Sequence, residues 1–127
     1  MLKKIDCVMI KVPDPWKAAP YYQRVFGLNP IWQDERSIGM QFSDGDPGTE
    51  IVLHCIESIP VVIDVNYLVE DVTKAVVHFQ SNGCTIMVPP FDIPIGKCAV
   101  IRDPNDLVWS ILDMTKGGRE RNYQARD

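Results

Sequence analysis

The chain has 127 residues, 46% hydrophobic and 24% charged, with a formal net charge of −4. That is one domain's length of ordinary globular composition, enough to bury a core, and its acidic balance argues against a nucleic-acid role, since phosphate contact needs a basic face. No run approaches the roughly 18 apolar residues of a membrane span, and Met1-Leu2-Lys3-Lys4 leads straight into a strand-like pattern containing Asp6 instead of an export signal, so a cytoplasmic location is expected.

Residues 4–12 alternate and are rich in β-branched side chains, which predicts a first strand. Asp14 then reads as a helix N-cap with Pro15 at the first helical position, where its missing N–H costs nothing. Ala18, Tyr22, Val25 and Phe26 form a helical stripe that Gly27 stops. Pro20 is out of place inside that stripe, so the first turn is expected to be distorted or the regular helix to start later than Asp14. Strands follow at 30–33, 38–42 and 50–56, with Asp44-Gly45-Asp46-Pro47-Gly48 as the turn between the last two.

The order then repeats. Residues 61–69 predict a strand, and Asp71 caps a helix carrying Val72, Ala75, Val76 and Phe79 on one face, ended by Asn82-Gly83. Strands fit 85–88, 97–101 and 107–112, with Asp103-Pro104-Asn105-Asp106 as the matching turn. The stretches beginning Val12-Pro13-Asp14 and Val69-Glu70-Asp71 align residue by residue: Lys17 with Lys74, Ala18 with Ala75, Tyr22 with Phe79, Gln23 with Gln80. An internal duplication sets the architecture: an α+β chain of two tandem βαβββ modules, at about 4–56 and 61–113, within one domain spanning 1–114. Neither half covers both faces of its own sheet, so the two are expected to form a curved mixed sheet around a cavity. The proline-rich stretch 89–96 reads as a loop, either a cavity rim or a plain connection. Residues 115–127 are polar and glycine-punctuated and are expected to form a mobile tail.

Strand alternation sorts side chains onto two faces. Val8, Ile10 and Val12, then Ile51, Leu53 and Cys55, then Ile63, Val65, Tyr67 and Val69, then Trp109 and Ile111, are assigned to the helix side. The other face collects Cys7, Met9, Val52, His54, Asp64, Asn66 and Ser110. Asp, Asn, His and Ser together need partners if buried, so the face is either solvated or the lining of a cavity; Met9, Val52 and Val62 favour enclosure. These seven residues are the candidate ligand-binding set. Cys7, Cys55, Cys84 and Cys98 contain no Cys-x-x-Cys pair and are expected to act as small hydrophobes, not as a disulfide framework. As a nucleophile Cys7 would need an electropositive setting, which Asp64 opposes.

The paired βαβββ pattern, the run Tyr21-Tyr22-Gln23-Arg24-Val25-Phe26-Gly27-Leu28 and the closing Asp103-Pro104-Asn105-Asp106-Leu107-Val108-Trp109 resemble the vicinal oxygen chelate superfamily of glyoxalases, bleomycin-resistance proteins and extradiol dioxygenases. The resemblance spans residues 4–113. It implies, for metal-dependent members, a divalent ion held by one His or Glu from each of four strands. Carried onto this chain, those places fall at Cys7, Val52 or His54 (of which His54 lies nearer the repeat spacing), Asp64 and Ser110. Ser is a poor ligand for zinc or nickel, so the expectation is no metal cofactor and a bleomycin-resistance-like binder of a small polar or mildly cationic molecule, working as a homodimer, with no nucleic-acid or membrane partner. The alternatives are a divergent metal-dependent lyase, isomerase or dioxygenase-like enzyme using Cys7, His54 and Asp64, and an interaction module. Whether the cavity lies within one chain or across a dimer stays open.

Overall fold

A computed structural model describes residues 1–42, 48–57 and 64–126. The expected turn at 44–48 falls almost wholly outside these, as do positions 61–63 of the expected fifth strand. The elements run β1 (Lys4–Lys11), α1 (Pro15–Phe26), β2 (Asn29–Gln33), β3 (Ser37–Gln41), β4 (Glu50–His54), β5 (Val65–Leu68), α2 (Val72–Ser81), β6 (Thr85–Ile93), β7 (Gly96–Arg102) and β8 (Val108–Leu112). The predicted βαβββ order is present twice. The strand neighbours repeat with it: β2-β3-β4-β1 in the first copy, and β6-β7-β8-β5 in the second. In each copy the strand before the helix pairs in parallel with the last strand, β1 with β4 and β5 with β8, while the others pair antiparallel.

The chain divides into two compact units, Cys7–Asp64 with Arg119–Asp127, and Met1–Asp6 with Val65–Gly118. In the first unit, α1 begins at the expected cap. The Asp14 carboxylate accepts from the Trp16 and Lys17 amides at 3.0 and 3.3 Å, and Gly27, at φ 73°, closes the other end by donating its N–H to the Tyr22 carbonyl. The first turn is not distorted: the helix starts at Pro15, one residue later than Asp14, and is regular from there with Pro20 inside it. Pro20 is exposed, and so near the N-terminus its ring meets only the first turn.

Trp16, Ala19 and Leu28 pack on Ile38, Met40 and Leu53, with Val12 and Ile51 at the margin. The helix therefore lies on β2, β3 and β4. This corrects the row assigned to β1: Ile10 is 40% exposed and Val8 half-buried, so only Val12 reaches the helix core. Cys55 also leaves its row, because β4 ends at His54 and the Cys55 thiol turns to the Arg36 carbonyl.

The last residues, expected to be mobile, lie along β2. The Gln33 N–H donates to Asn122 Oδ1 at 2.9 Å, the Gln124 N–H to Gln33 Oε1 at 2.9 Å, and the Tyr123 N–H to the Ile31 carbonyl at 3.4 Å. Tyr123 joins the helix-side core and Arg126 stacks 3.6 Å from the Trp16 ring centroid. This segment covers the edge of β2, whose backbone groups would otherwise be open to pairing.

In the second unit Val69, Val72, Ala75, Val76, Ala99, Ile101 and Ile111 form the core, with Tyr67 and Trp109 against it, as the alternation predicted for the last two. Asp113 is 1% exposed and ties three segments together. Oδ2 accepts from the Val72 amide at the start of α2 (2.7 Å); Oδ1 accepts from the Lys97 amide in β7 (2.9 Å) and from the Thr115 amide and hydroxyl (3.2 and 2.8 Å). The stretch 89–93, expected to be loop, continues β6. Pro89 and Pro90 are tolerated because β6 ends the strand order and the pairing with β7 skips between Val88 and Phe91.

Candidate functional site

The helix-free face of the first unit carries a small buried cluster of Cys7, Trp32 and Val52, 3%, 9% and 3% exposed, with Met9 and Ile31 against it. The register explains it. Cys7 pairs with Glu50, Met9 with Val52 and Lys11 with His54, so those six share one face. Trp32 pairs with Gly39, and the β2–β3 register slips between Pro30 and Trp32. That bulge aims both Ile31 and Trp32 at the cluster, which strict alternation forbids.

Trp32 packs directly against Gly39: a side chain at Gly39 would fall inside the indole. From there Trp32 Nε1 donates to Glu50 Oε1 at 2.8 Å. Arg119, from the C-terminal segment, places its guanidinium 5.0 Å from the Trp32 ring centroid and 3.5 Å from the same Glu50 oxygen. Both charged side chains are largely covered, 14% and 18% exposed.

His54 closes this face. It is buried, and its Nδ1 accepts the Ile56 N–H at 3.2 Å, which requires the neutral ring with its proton on Nε2. Burial, then the Lys11 ammonium, holds the imidazolium below its ordinary 6.5, while Asp64 pulls the other way. Because the folded value is the lower one, the neutral ring's contribution to stability is complete above 6.5 and is lost as pH falls through the folded value. An NMR titration is therefore expected to give a His54 midpoint below 6.5, moved further down by Asp64→Asn and back up by Lys11→Met.

Asp64 itself is exposed and precedes β5 instead of lying within it; its carbonyl accepts the Met9 amide. In the second unit Asn66 and Ser110 are strand partners, both buried, and Ser110 Oγ donates to Asn66 Oδ1 at 2.6 Å. Cys98 Sγ sits 3.6 Å from Ser110 Oγ, and burial pushes its thiol up, which disfavours the thiolate.

The seven predicted residues thus fall into two groups. Cys7, Met9, Val52, His54 and Asp64 belong to the first unit, and Asn66 with Ser110 to the second. Glu50, Lys11, Trp32, Arg119 and Cys98 were missed. Glu50 and Lys11 follow from the same alternation that gave Val52 and Met9; a bulge and a chain end hid Trp32 and Arg119.

The donor set does not fit the divalent ion that the resemblance implies. Among the described residues no group of three or more His, Cys, Asp or Glu could hold a metal ion. Cys7 is packed against Trp32 and Val52, and the Ser110 hydroxyl is committed to Asn66.

No family model and no curated protein sequence matches the chain. Solved structures do. A variant of the Streptomyces coelicolor methylmalonyl-CoA epimerase, in complex with 2-nitronate-propionyl-CoA, superposes with TM-score 0.68 at 14% identity, over 91% of this chain and 99% of that one. The Mycobacterium tuberculosis methylmalonyl-CoA epimerase gives 0.68 at 14%, over 88% of each. A Legionella pneumophila protein described as an NAD-dependent benzaldehyde dehydrogenase gives 0.65 at 19%, over 86% and 98%. Identities this low speak for the fold, not the chemistry. With the doubled βαβββ order and its repeated strand neighbours, these matches establish that the chain has the glyoxalase-type fold.

Proposed function

We propose that the chain is a metal-free small-molecule-binding protein whose ligand rests on the helix-free face of the first unit. The observation that carries this reading is the cluster of Trp32 with Cys7, Met9 and Val52, in which an indole packs against a glycine and holds a carboxylate at its edge. An apolar floor with a few fixed polar groups is the usual composition of a small-ligand site. The donor chemistry of the described residues, a packed thiol and a committed hydroxyl, supports binding over metal-assisted chemistry. No helix among the described residues is long and apolar enough to cross a membrane.

Two measurements test the reading. In a thermal-shift screen of small polar and cationic molecules, a cognate ligand at about 100 times its Kd is expected to add about 2.7 kcal/mol, and Trp32→Ala should remove the gain. Metal analysis of protein purified without chelators should find no stoichiometric ion. A full equivalent of zinc, nickel, iron or manganese that disappears in Cys7→Ala or His54→Ala would overturn the proposal in favour of a metal enzyme. Light scattering is expected to report a homodimer.

A further inference from the structure

We propose that Trp32 and Glu50 form a recognition site for small organic cations, guanidinium or alkylammonium, and that residues 119–126 are a displaceable strap whose Arg119 fills this site in the resting protein. The inference rests on the reading of that face as the ligand surface and names the chemistry it selects.

The occupied geometry is itself the argument. An aromatic face beside a carboxylate is the arrangement that selects cations, and here both act on one guanidinium: 5.0 Å to the Trp32 centroid and 3.5 Å to Glu50 Oε1. Trp32 Nε1 donates to that same oxygen at 2.8 Å, fixing the carboxylate in place. Glu50 stands in register with Cys7 beside Val52, so its largely covered charge needs a cationic partner, the place Arg119 takes. Yet the Arg119 contact is long, since well-formed guanidinium–carboxylate bonds run about 2.7–2.9 Å. A free cation not tethered to a backbone can approach closer.

The strap is built to lift. Gly117, at φ 103°, and Gly118 precede it, and no atom of the described residues lies within 4 Å of where side chains on them would be. Its hydrogen bonds to Gln33 through Asn122 and Gln124 are exposed, each worth about 1 kcal/mol; beyond Arg119 the segment is also held by Tyr123 at the margin of the helix-side core and by Arg126 on Trp16, which the external cation must displace or leave in place. Segments held this way open locally far below the global unfolding energy. A tethered Arg119 competes at an effective concentration of the order of millimolar, so an external cation must outbid it, and removing Arg119 should expose the site's full affinity.

The test uses the full chain, with phenylguanidinium as probe and phenylurea as its neutral counterpart, followed by tryptophan fluorescence and thermal shift. Arg119→Ala is expected to bind phenylguanidinium about tenfold or more tighter than the parent, as loss of an intramolecular competitor requires, and to ignore phenylurea. Glu50→Gln placed on Arg119→Ala should abolish that binding. If that double variant fails to fold, Trp32→Phe on Arg119→Ala takes its place and should weaken binding, since phenylalanine is the poorer cation face and makes no bond to Glu50. In the parent, the probe should accelerate tryptic cleavage at Arg121. Equal affinity for the two probes, no gain in Arg119→Ala, retention of binding in both second-site variants, or cleavage indifferent to the probe would overturn the inference. A neutral ligand that binds equally well with and without Arg119 would do so while leaving the broader binding proposal standing.

Discussion

Replacing Asp113 with alanine is expected to lower the unfolding free energy by about 3 kcal/mol, the range for a buried carboxylate that leaves several donors behind. For a chain this long that is a fall in Tm of about 10 °C. The reason is the number of amides that depend on it. Val72, Lys97 and Thr115 each donate a backbone N–H to this one side chain, and the Thr115 hydroxyl adds a fourth bond. Without it the start of α2 keeps only Asp71, which accepts from the Lys74 amide at 3.1 Å. The Val72 amide would be stranded beside a residue that is fully buried. Asparagine should rescue little, because its amide nitrogen would present a donor to donors.

Acid dependence separates this carboxylate from a merely well-packed residue. Burial alone would push the Asp113 carboxyl up, but the bonds from Val72, Lys97 and Thr115 outweigh it and hold the group below the ordinary 3.8. A folded value beneath the unfolded one contributes stability above 3.8 that disappears as pH falls through the folded value. Chemical denaturation between pH 7 and pH 3 should therefore show Asp113→Ala losing less stability on acidification than the parent. Parallel curves would show that the carboxyl titrates alike in the folded and unfolded chain, so that these bonds do not favour its charged form.

The second large effect is expected at Gly39. An alanine methyl there would occupy the space of the Trp32 indole, and an aromatic ring cannot be compressed, so the ring must leave. Its departure exposes a side chain now 9% exposed and breaks the bond to Glu50. Overpacking and lost burial together should cost about 2–4 kcal/mol, with a red-shifted tryptophan emission and no response to any ligand of this face. The cause can be isolated by a double-mutant cycle. In a Trp32→Ala background the same Gly39→Ala change should be nearly neutral, giving a coupling energy of about 2 kcal/mol; independent effects would show that the clash is not with the indole.

The duplication was legible because it is written in local signals that tertiary packing reinforces. Asp14 and Asp71 cap their helices, Gly27 ends the first, and the strand order repeats. The faces of β4 and β8 were legible too: Ile51 and Leu53 lie toward α1, and Val52 away from it, while Ile111 and Trp109 lie with the core under α2. Alternation failed where helix coverage, not parity, decides burial. Ile10 has the right parity but sits on β1, which α1 does not cover. It failed again at Trp32, where a one-residue bulge shifts the period.

Composition misled at the two proline- and glycine-marked stretches. Pro89 and Pro90 read as loop because proline removes ladder donors, but a terminal strand has donors to spare. Residues 119–126 are polar and carry Arg119, Arg121 and Arg126, the profile of an unstructured end. Two of those arginines each lie on a tryptophan, Trp32 and Trp16, supplied from near the opposite end of the chain. No local pattern foretells a partner that distant in sequence.

The borders of the two bodies do not coincide with the borders of the repeat. Met1–Asp6 pack with the later half, and Arg119–Asp127 with the earlier one, so each half lends its counterpart a terminus. Severing the polypeptide midway would therefore yield two fragments, one without its first strand residues and the other without its arginine-bearing closure. Each fragment is expected to be less stable than the same half within the intact chain, as separate expression and thermal unfolding would show.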